Sequence, residues 1–196
     1  AFIEDIRDLK TSVYQSYGST ETITHVAIRP LNSAANKKGP AGISSYAEMP
    51  FRAIGNCSFE RDLRGCLVVN TPHLSVKQHV TNDIVELSDD VTFRWLGRWD
   101  NVILSGGKKI FPEQLETRTA GVIPYPHYFT STPDDRMGQA VCLVLEANEP
   151  ADIVLPEVMD KLMHVLDPHE LPRRVRALRS FARTVSGKVI RIGEPG

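Results

Sequence analysis

The pattern of the chain changes at Gly97-Arg98-Trp99-Asp100, and that change limits the folds open to it. Before it, from Met49 to Leu96, apolar residues come in short β-type runs. Leu67-Val68-Val69 reads as a buried strand closed by Thr71-Pro72, and residues 83–87 and 91–96 flank Ser88-Asp89-Asp90 as the arms of a hairpin. Further upstream, residues 2–10 read as the end of a helix, 13–17 and 22–31 as short strands, and 32–42 as a polar loop. After Asp100 the pattern is mixed. Val102-Ile103-Leu104 is a short strand, and residues 112–119 form a helix with Pro112 in its first turn and Gly121 beyond its end. Residues 128–131, 140–146 and 175–181 read as strands. Leu155, Val158, Met159, Leu162, Val165 and Leu166 recur three or four apart, which predicts an amphipathic helix starting near Pro156. The expected fold class is therefore α+β: a β-barrel or β-sandwich subdomain over 1–99, then a small α/β domain over 100–196.

Bulk properties exclude several function classes. Apolar residues make up 41% of the 196, enough for packed cores. A net charge of -1 gives no electrostatic reason to expect nucleic acid or an anionic membrane as partner. No apolar run approaches the roughly 20 residues that span a bilayer. The start, Ala1-Phe2-Ile3-Glu4-Asp5, lacks the basic region and apolar core of a signal peptide and has no initiator Met, which suggests a fragment. Cys57, Cys66 and Cys142 form no CxxC pair, as in a reduced cytosolic protein. His73, His79, His164 and His169 show no metal spacing and read as structural or solvent-facing.

Four stretches carry chemistry. In Tyr17-Gly18-Ser19-Thr20-Glu21, a carboxylate beside a hydroxyl on a strand-turn can hold Mg²⁺ and meet a phosphate, and a ring next to a glycine can lie flat on a base; alone, the pentapeptide is better read as a simple turn. In Thr81-Asn82-Asp83, a carboxylate at a strand start can accept from both hydroxyls of a ribose, although turn capping is the default for so short a motif. Gly97-Arg98-Trp99-Asp100 through Gly106-Gly107-Lys108-Lys109 to Glu116 sets a cation and a carboxylate at the change of pattern, where Asp100 could act as a hinge, and then a double glycine that a ligand can approach closely. In Arg183-Thr184-Val185-Ser186-Gly187-Lys188-Val189-Ile190-Arg191, the loop can extend Lys188 toward an α-phosphate and stabilise charge building there; by itself, Lys188 is a solvated surface lysine.

Taken in order, these stretches resemble the adenylate-forming superfamily of acyl- and aryl-CoA ligases, luciferases and peptide-synthetase adenylation domains. Residues 20–29 and 105–110 are most similar to the o-succinylbenzoate–CoA ligases of menaquinone synthesis. The resemblance implies a C-terminal portion: residues 1–99 as the β subdomain of a large domain, and 100–196 as a small mobile domain turning about Asp100. It also implies residue roles. Thr20 contacts the α-phosphate, Glu21 holds Mg²⁺, Tyr17 stacks on adenine with Gly18 beside it, and Asp83 and Arg98 bind ribose. Lys188 serves the ATP half-reaction, and Gly106 and Gly107 line the pantetheine path. Arg173, Arg174, Arg176, Arg179 and Arg183 could meet CoA phosphates or form a solvated strand face, and His25 and Arg29 could lie near the acyl pocket. The implied ligands are ATP or AMP, Mg²⁺, CoA and a small carboxylic acid, in a cytoplasmic protein, with a homodimer left open. Two features depart from the pattern. Asn82 stands where the family has glycine, which a left-handed turn would tolerate. No Ser/Thr/Gly-rich phosphate loop precedes Tyr17, and Lys37-Lys38-Gly39-Pro40 lies downstream of it. Another aryl- or acyl-CoA ligase, or a non-catalytic truncated binding module, are the alternatives, and the isolated chain is expected to be inactive.

Overall fold

The computed structural model describes residues 6, 9–19, 22, 24–32, 49–148 and 151–191. The chain divides into two compact units, Ala1–Trp99 and Asp100–Gly196. No helix among the described residues is long and apolar enough to cross a membrane. Most of the regular structure is β, with few helices.

The first unit is a seven-stranded sheet: β1 (Tyr14–Gly18), β2 (His25–Pro30), β3 (Phe51–Ala53), β4 (Ser58–Arg61), β5 (Cys66–Asn70), β6 (Gln78–Asp89) and β7 (Thr92–Arg98). Its order is β1-β2-β3-β7-β6-β5-β4, with every neighbouring pair antiparallel. A barrel-like closure is not among the pairings of the described residues; the path runs from β1 at one end to β4 at the other. The sheet forms around an aromatic centre. Phe93 is fully buried on β7, stacks on Phe51 at 5.3 Å, and takes Phe59 at 4.8 Å and Tyr17 at 5.3 Å edge to face. These are favoured geometries for ring quadrupoles. Val26, Leu67, Val69 and Val85 complete the core.

The strand expected over 83–87 begins five residues earlier, at Gln78. The polar run Gln78, His79, Thr81 and Asn82 hides it; the strand there is made by its ladder with β5, where Gln78, His79 and Val80 face Asn70, Val69 and Val68. His79 consequently lies in β6. The strand expected over 22–31 is shorter, because Thr22 lies in a turn ahead of β2.

Asn32 closes the other end of β2. It is fully buried, and its amide nitrogen donates to the carbonyls of Thr11 at 2.8 Å and of Ile6 and Leu9 at 3.2 Å. Its Oδ1 accepts from the Val13 amide at 3.1 Å. One side chain thus supplies partners for the backbone leading into β1. The rest of the expected polar loop, residues 33–42 with Lys37 and Lys38, and most of the N-terminal helix expected over 2–10 lie outside the described residues.

The second unit contains β8 (Ile103–Ser105), β9 (Lys108–Ile110), α1 (Pro112–Thr119), β10 (His127–Asp134), β11 (Gly138–Glu146), α2 (Ala151–Met163) and β12 (Arg174–Leu178). Its sheet runs β10-β11-β8-β9, and β12 pairs with β11 in parallel. A parallel pair needs a crossover, which α2 supplies. β11 has neighbours over its length, and its Ala140–Leu145 run is fully buried, as an apolar central strand should be. Leu115 from α1 and Val158 and Leu162 from α2 join Ile103, Phe129, Leu143 and Leu145 in one core. α2 begins at Ala151, with Pro156 inside it rather than at its start. Pro156 forfeits one bond to the preceding turn, and the buried Val158–Leu162–Leu166 stripe holds the helix beyond it.

Asn32→Ala should strip four backbone groups of their partner, one of them in a fully buried bond and three in part-buried ones. Urea denaturation should report a loss of about 2–3 kcal/mol, because unsatisfied buried polar groups cost that order of energy; an unchanged midpoint would show the segment before β1 to be held by other contacts.

Candidate functional site

Three of the sequence-selected side chains meet in the first unit. The Tyr17 hydroxyl donates to Asp83 Oδ2 at 2.5 Å, and Arg98 Nη1 lies 3.5 Å from Asp83 Oδ1. Tyr17 and Asp83 are 66 positions apart and sit on β1 and β6, with three strands between them in the sheet order. In a flat sheet those strands would lie about 19 Å apart, so the sheet curls strongly to bring them together. Phe93 and Phe51 fill the inside of that curl and back the Tyr17 ring.

A bulge places Asp83. In the β5–β6 pairing, Cys66 faces Ile84 and Val68 faces Val80, so Thr81, Asn82 and Asp83 all stand against Leu67 alone. The Thr81 hydroxyl holds this arrangement by donating to the Leu67 carbonyl at 2.9 Å and accepting from the Asp83 amide at 3.0 Å. Thr81-Asn82-Asp83 is therefore a bulge inside a strand, not a strand start or a capped turn. Bulges of this kind re-aim a side chain out of the strict alternation. Arg64 braces it, donating to Asn82 Oδ1 at 3.0 Å and to the Thr81 carbonyl at 3.2 Å, while its guanidinium sits 5.8 Å from the Trp99 ring. Sequence reasoning missed Arg64; the available signal was Asp62-Leu63-Arg64-Gly65, a turn with an aspartate that accepts from two backbone amides and a glycine at φ 87°.

Gly18 is required by the backbone itself. A Cβ there would lie 2.6 Å from the Thr24 carbonyl oxygen. The Thr22 hydroxyl accepts from the Ser19 amide and lies 3.0 Å from the Thr24 carbonyl. Thr20 and Glu21, the residues assigned to phosphate and Mg²⁺, lie outside the described residues. Arg29 donates to Gln15 and lies over the Phe51 ring at 4.6 Å, and burial pulls its guanidinium down to about 10. His25 is exposed at the start of β2.

In the second unit, Asp100 is exposed within a 3-10 turn, Trp99–Asn101. Gly106 and Gly107 form the two-residue turn between β8 and β9, at φ 55° and 80°. Positive φ at both positions is what a tight hairpin of this type demands. The Met137 side chain already fills the space where a Cβ of Gly106 would go, whereas a Cβ on Gly107 would meet nothing within 4 Å. Of the two, Gly107 therefore leaves the backbone accessible.

Lys188 is exposed on a loop that closes on itself. Arg183 bridges Val189; Thr184 donates its amide to the Lys188 carbonyl at 2.8 Å and accepts from the Lys188 amide through Oγ1 at 3.1 Å. Gly187, at φ 83°, makes the turn. The Lys188 ammonium has no partner among the described residues. At the loop's exit, Arg191 donates to Glu116 Oε1 at 2.5 Å and Oε2 at 2.7 Å and to the Phe129 carbonyl at 3.0 Å. Burial opposes the charge on Arg191, but the hydrogen bond to Glu116 and the charges of Glu116 and Glu113 outweigh it and hold the guanidinium above its ordinary value.

Two of the five clustered arginines have carboxylate partners. Arg173 pairs with Asp134 at 3.4 Å and Arg183 with Glu146 at 3.1 Å. Near His169, Asp167 and Glu170 could crowd a cation, but Glu170 already pairs with Arg118 and accepts from the Asp167 amide.

Burial first, and then the Asp83 charge, push the Tyr17 phenol well above its ordinary 10.0. The folded state thus holds this proton more tightly than the unfolded chain. The resulting stability is fully present below the unfolded value and is lost as pH rises through it toward the folded one. Tyr17→Phe should flatten the decline of the denaturation midpoint above about pH 10; an equally steep decline in the variant would assign it to other groups.

No family model matches the chain. Among curated proteins it is 27% identical, over 203 aligned positions covering 90% of the chain, to a 2-succinylbenzoate–CoA ligase of Enterococcus faecalis, of which it spans 39%. It is 26% identical over 58% of its length to a 3-oxocholest-4-en-26-oate–CoA ligase of Rhodococcus rhodochrous, spanning 20% of that protein. Its fold is shared with the o-succinylbenzoate–CoA synthetase of Bacillus subtilis, solved with its acyl-adenylate intermediate, at a TM-score of 0.71 and 20% identity, covering 95% of this chain and 42% of that one. The relatives and structural neighbours of this chain include AMP-dependent acyl- and aryl-CoA ligases, and it corresponds to part of their length.

Proposed function

We propose that the chain is the C-terminal part of an AMP-forming acid–CoA ligase, with o-succinylbenzoate as its acid, in menaquinone biosynthesis in the cytoplasm. The observation that carries the ligase reading is the meeting of Tyr17, Asp83 and Arg98, chosen from three separate motifs, at one place in the first unit. The choice of acid is supported by extent: the alignment to the 2-succinylbenzoate–CoA ligase covers 90% of the chain, against 58% for the 3-oxocholest-4-en-26-oate–CoA ligase.

In this reading the longer protein runs two half-reactions. A carboxylate oxygen attacks the α-phosphorus of ATP and pyrophosphate leaves, giving an acyl-adenylate; the CoA thiol then attacks the acyl carbon and AMP leaves. Asp83 holds the ribose. A carboxylate has about four lone-pair sites, so the bonds from Tyr17 and Arg98 leave acceptor capacity for the ribose hydroxyls. Tyr17 and Gly18 border adenine, Thr20 meets the α-phosphate and Glu21 provides a ligand for Mg²⁺. Lys188 lies beside the α-phosphate and the reacting carboxylate in the first step. Residues 100–196 then turn about Asp100, which withdraws Lys188 and presents the Gly106-Gly107 turn, at Gly107, to the pantetheine arm. The division of the chain between Trp99 and Asp100 supports that hinge. One site cannot keep a lysine in the line of attack and also admit a thiol, so a domain swing resolves the conflict.

The test uses the longer protein with o-succinylbenzoate, ATP, Mg²⁺ and CoA. Thioester should form, and another acid turning over in its place would remove the substrate assignment while leaving the ligase. Lys188→Ala should slow adenylation by about 100-fold, the order expected for one lost group stabilising developing charge. It should leave thioester formation from supplied acyl-adenylate nearly unchanged; equal loss in both steps would refute the role given to Lys188.

A further inference from the structure

Two carboxylates hold the lysine loop, one at each end. At the entry, Glu146 at the end of β11 accepts from the Phe181 amide at 2.8 Å and pairs with Arg183 at 3.1 Å. At the exit, Glu116 on α1 takes Arg191 in both oxygens and also accepts the Phe129 amide at 2.9 Å. The two anchors are not equivalent. The Arg183 side chain is 43% exposed, whereas Arg191 and Glu116 are each 23% exposed. The Arg191 fork is also fixed by the Phe129 carbonyl, lies 5.8 Å from the Tyr128 ring and has Glu113 at 3.8 Å. A planar guanidinium bound on several sides has one orientation left to it. Arg191 lies three residues beyond Lys188; the Thr184 bonds to Lys188 close the turn that carries the lysine, and the stretch from Lys188 to Arg191 is tied back by the Arg183–Val189 bridge and by the Ile190 amide, which donates to the Ala182 carbonyl at 2.8 Å. The exit anchor therefore fixes where the loop stands on the second unit.

We infer that Glu116 and Arg191 are positioning residues for Lys188: they touch no reacting atom, and their bidentate pair sets the direction in which the loop carries the ammonium. This rests on the role proposed above for Lys188 in adenylation. The core of the second unit is built from other residues, Ile103, Leu115, Phe129, Leu143 and Leu162 among them. Weakening the pair should therefore release the loop before it loosens the core.

Arg191→Lys keeps the charge and loses the fork, and Glu116→Gln keeps the shape and loses the charge. Each is made in the longer protein, alone and together with Lys188→Ala, and both half-reactions are followed with the melting temperature. Alone, each should slow adenylation about tenfold or more, since small misplacements of a reacting group cost that much. Thioester formation from supplied acyl-adenylate should stay within about twofold. In the Lys188→Ala background, neither should slow adenylation further, because a group that acts through Lys188 has nothing left to position. Full additivity in that background, equal loss in both half-reactions, or unchanged adenylation in the single variants would each overturn the inference while leaving Lys188 in place. If Lys188→Ala itself leaves adenylation intact, the reading beneath the inference fails and takes the inference with it.

Discussion

The first unit depends on the Thr81 hydroxyl. β6 is the longest strand of its sheet and pairs with neighbours on both sides, so any irregularity in it propagates to β5 and β7. Three residues set against Leu67 leave backbone groups without ladder partners, and Thr81 supplies them by bonding the Leu67 carbonyl and the Asp83 amide together. With that bond the bulge is a fixed feature and Asp83 stands opposite Arg98. The curl of the sheet does the rest, turning β1 inward around Phe93 until Tyr17 reaches the same carboxylate.

The second unit is built on a different plan. Its central strand β11 is a nearly continuous apolar run with β10, β8 and β12 beside it, and both helices pack their apolar residues into the same core. The residues proposed to act in the reaction sit at the margins of that frame, in the Gly106-Gly107 turn and in the loop carrying Lys188. Both are set by local geometry, the first by a hairpin that needs positive φ and the second by Thr184 closing on Lys188.

What could be read from the sequence was what is locally encoded. The helix over 112–119 carries its own start in Pro112, and the strands around residues 67–69 and 140–146 are apolar enough to read as buried. The polar first half of β6 could not be read, because its strand character comes from the ladder with β5 rather than from its own side chains. Nor could the five residues of α2 before Pro156, which a local rule assigns outside the helix. Strands as short as β3, β4 and β9 give too few residues to show a period. In the candidate site, Tyr17, Asp83 and Arg98 could be picked out by residue type and order, but not the bulge that aims Asp83, Arg64 beneath it, or the grip of Glu116 on Arg191 across 75 positions. Each of these joins segments whose proximity only the folded sheet creates.

The self-closed loop around Lys188 has an entropic consequence. Thr184, Gly187 and the Arg183–Val189 bridge order its backbone through contacts within the loop itself. The lysine side chain keeps its rotamers, having no partner among the described residues. A ligand that engages the ammonium thus has to order one side chain, a penalty of about 1.5–2 kcal/mol, and none of the peptide beneath it. The same modest penalty is recovered whenever the ammonium lets go, so the lysine can exchange between a ligand and water without the loop refolding at each passage.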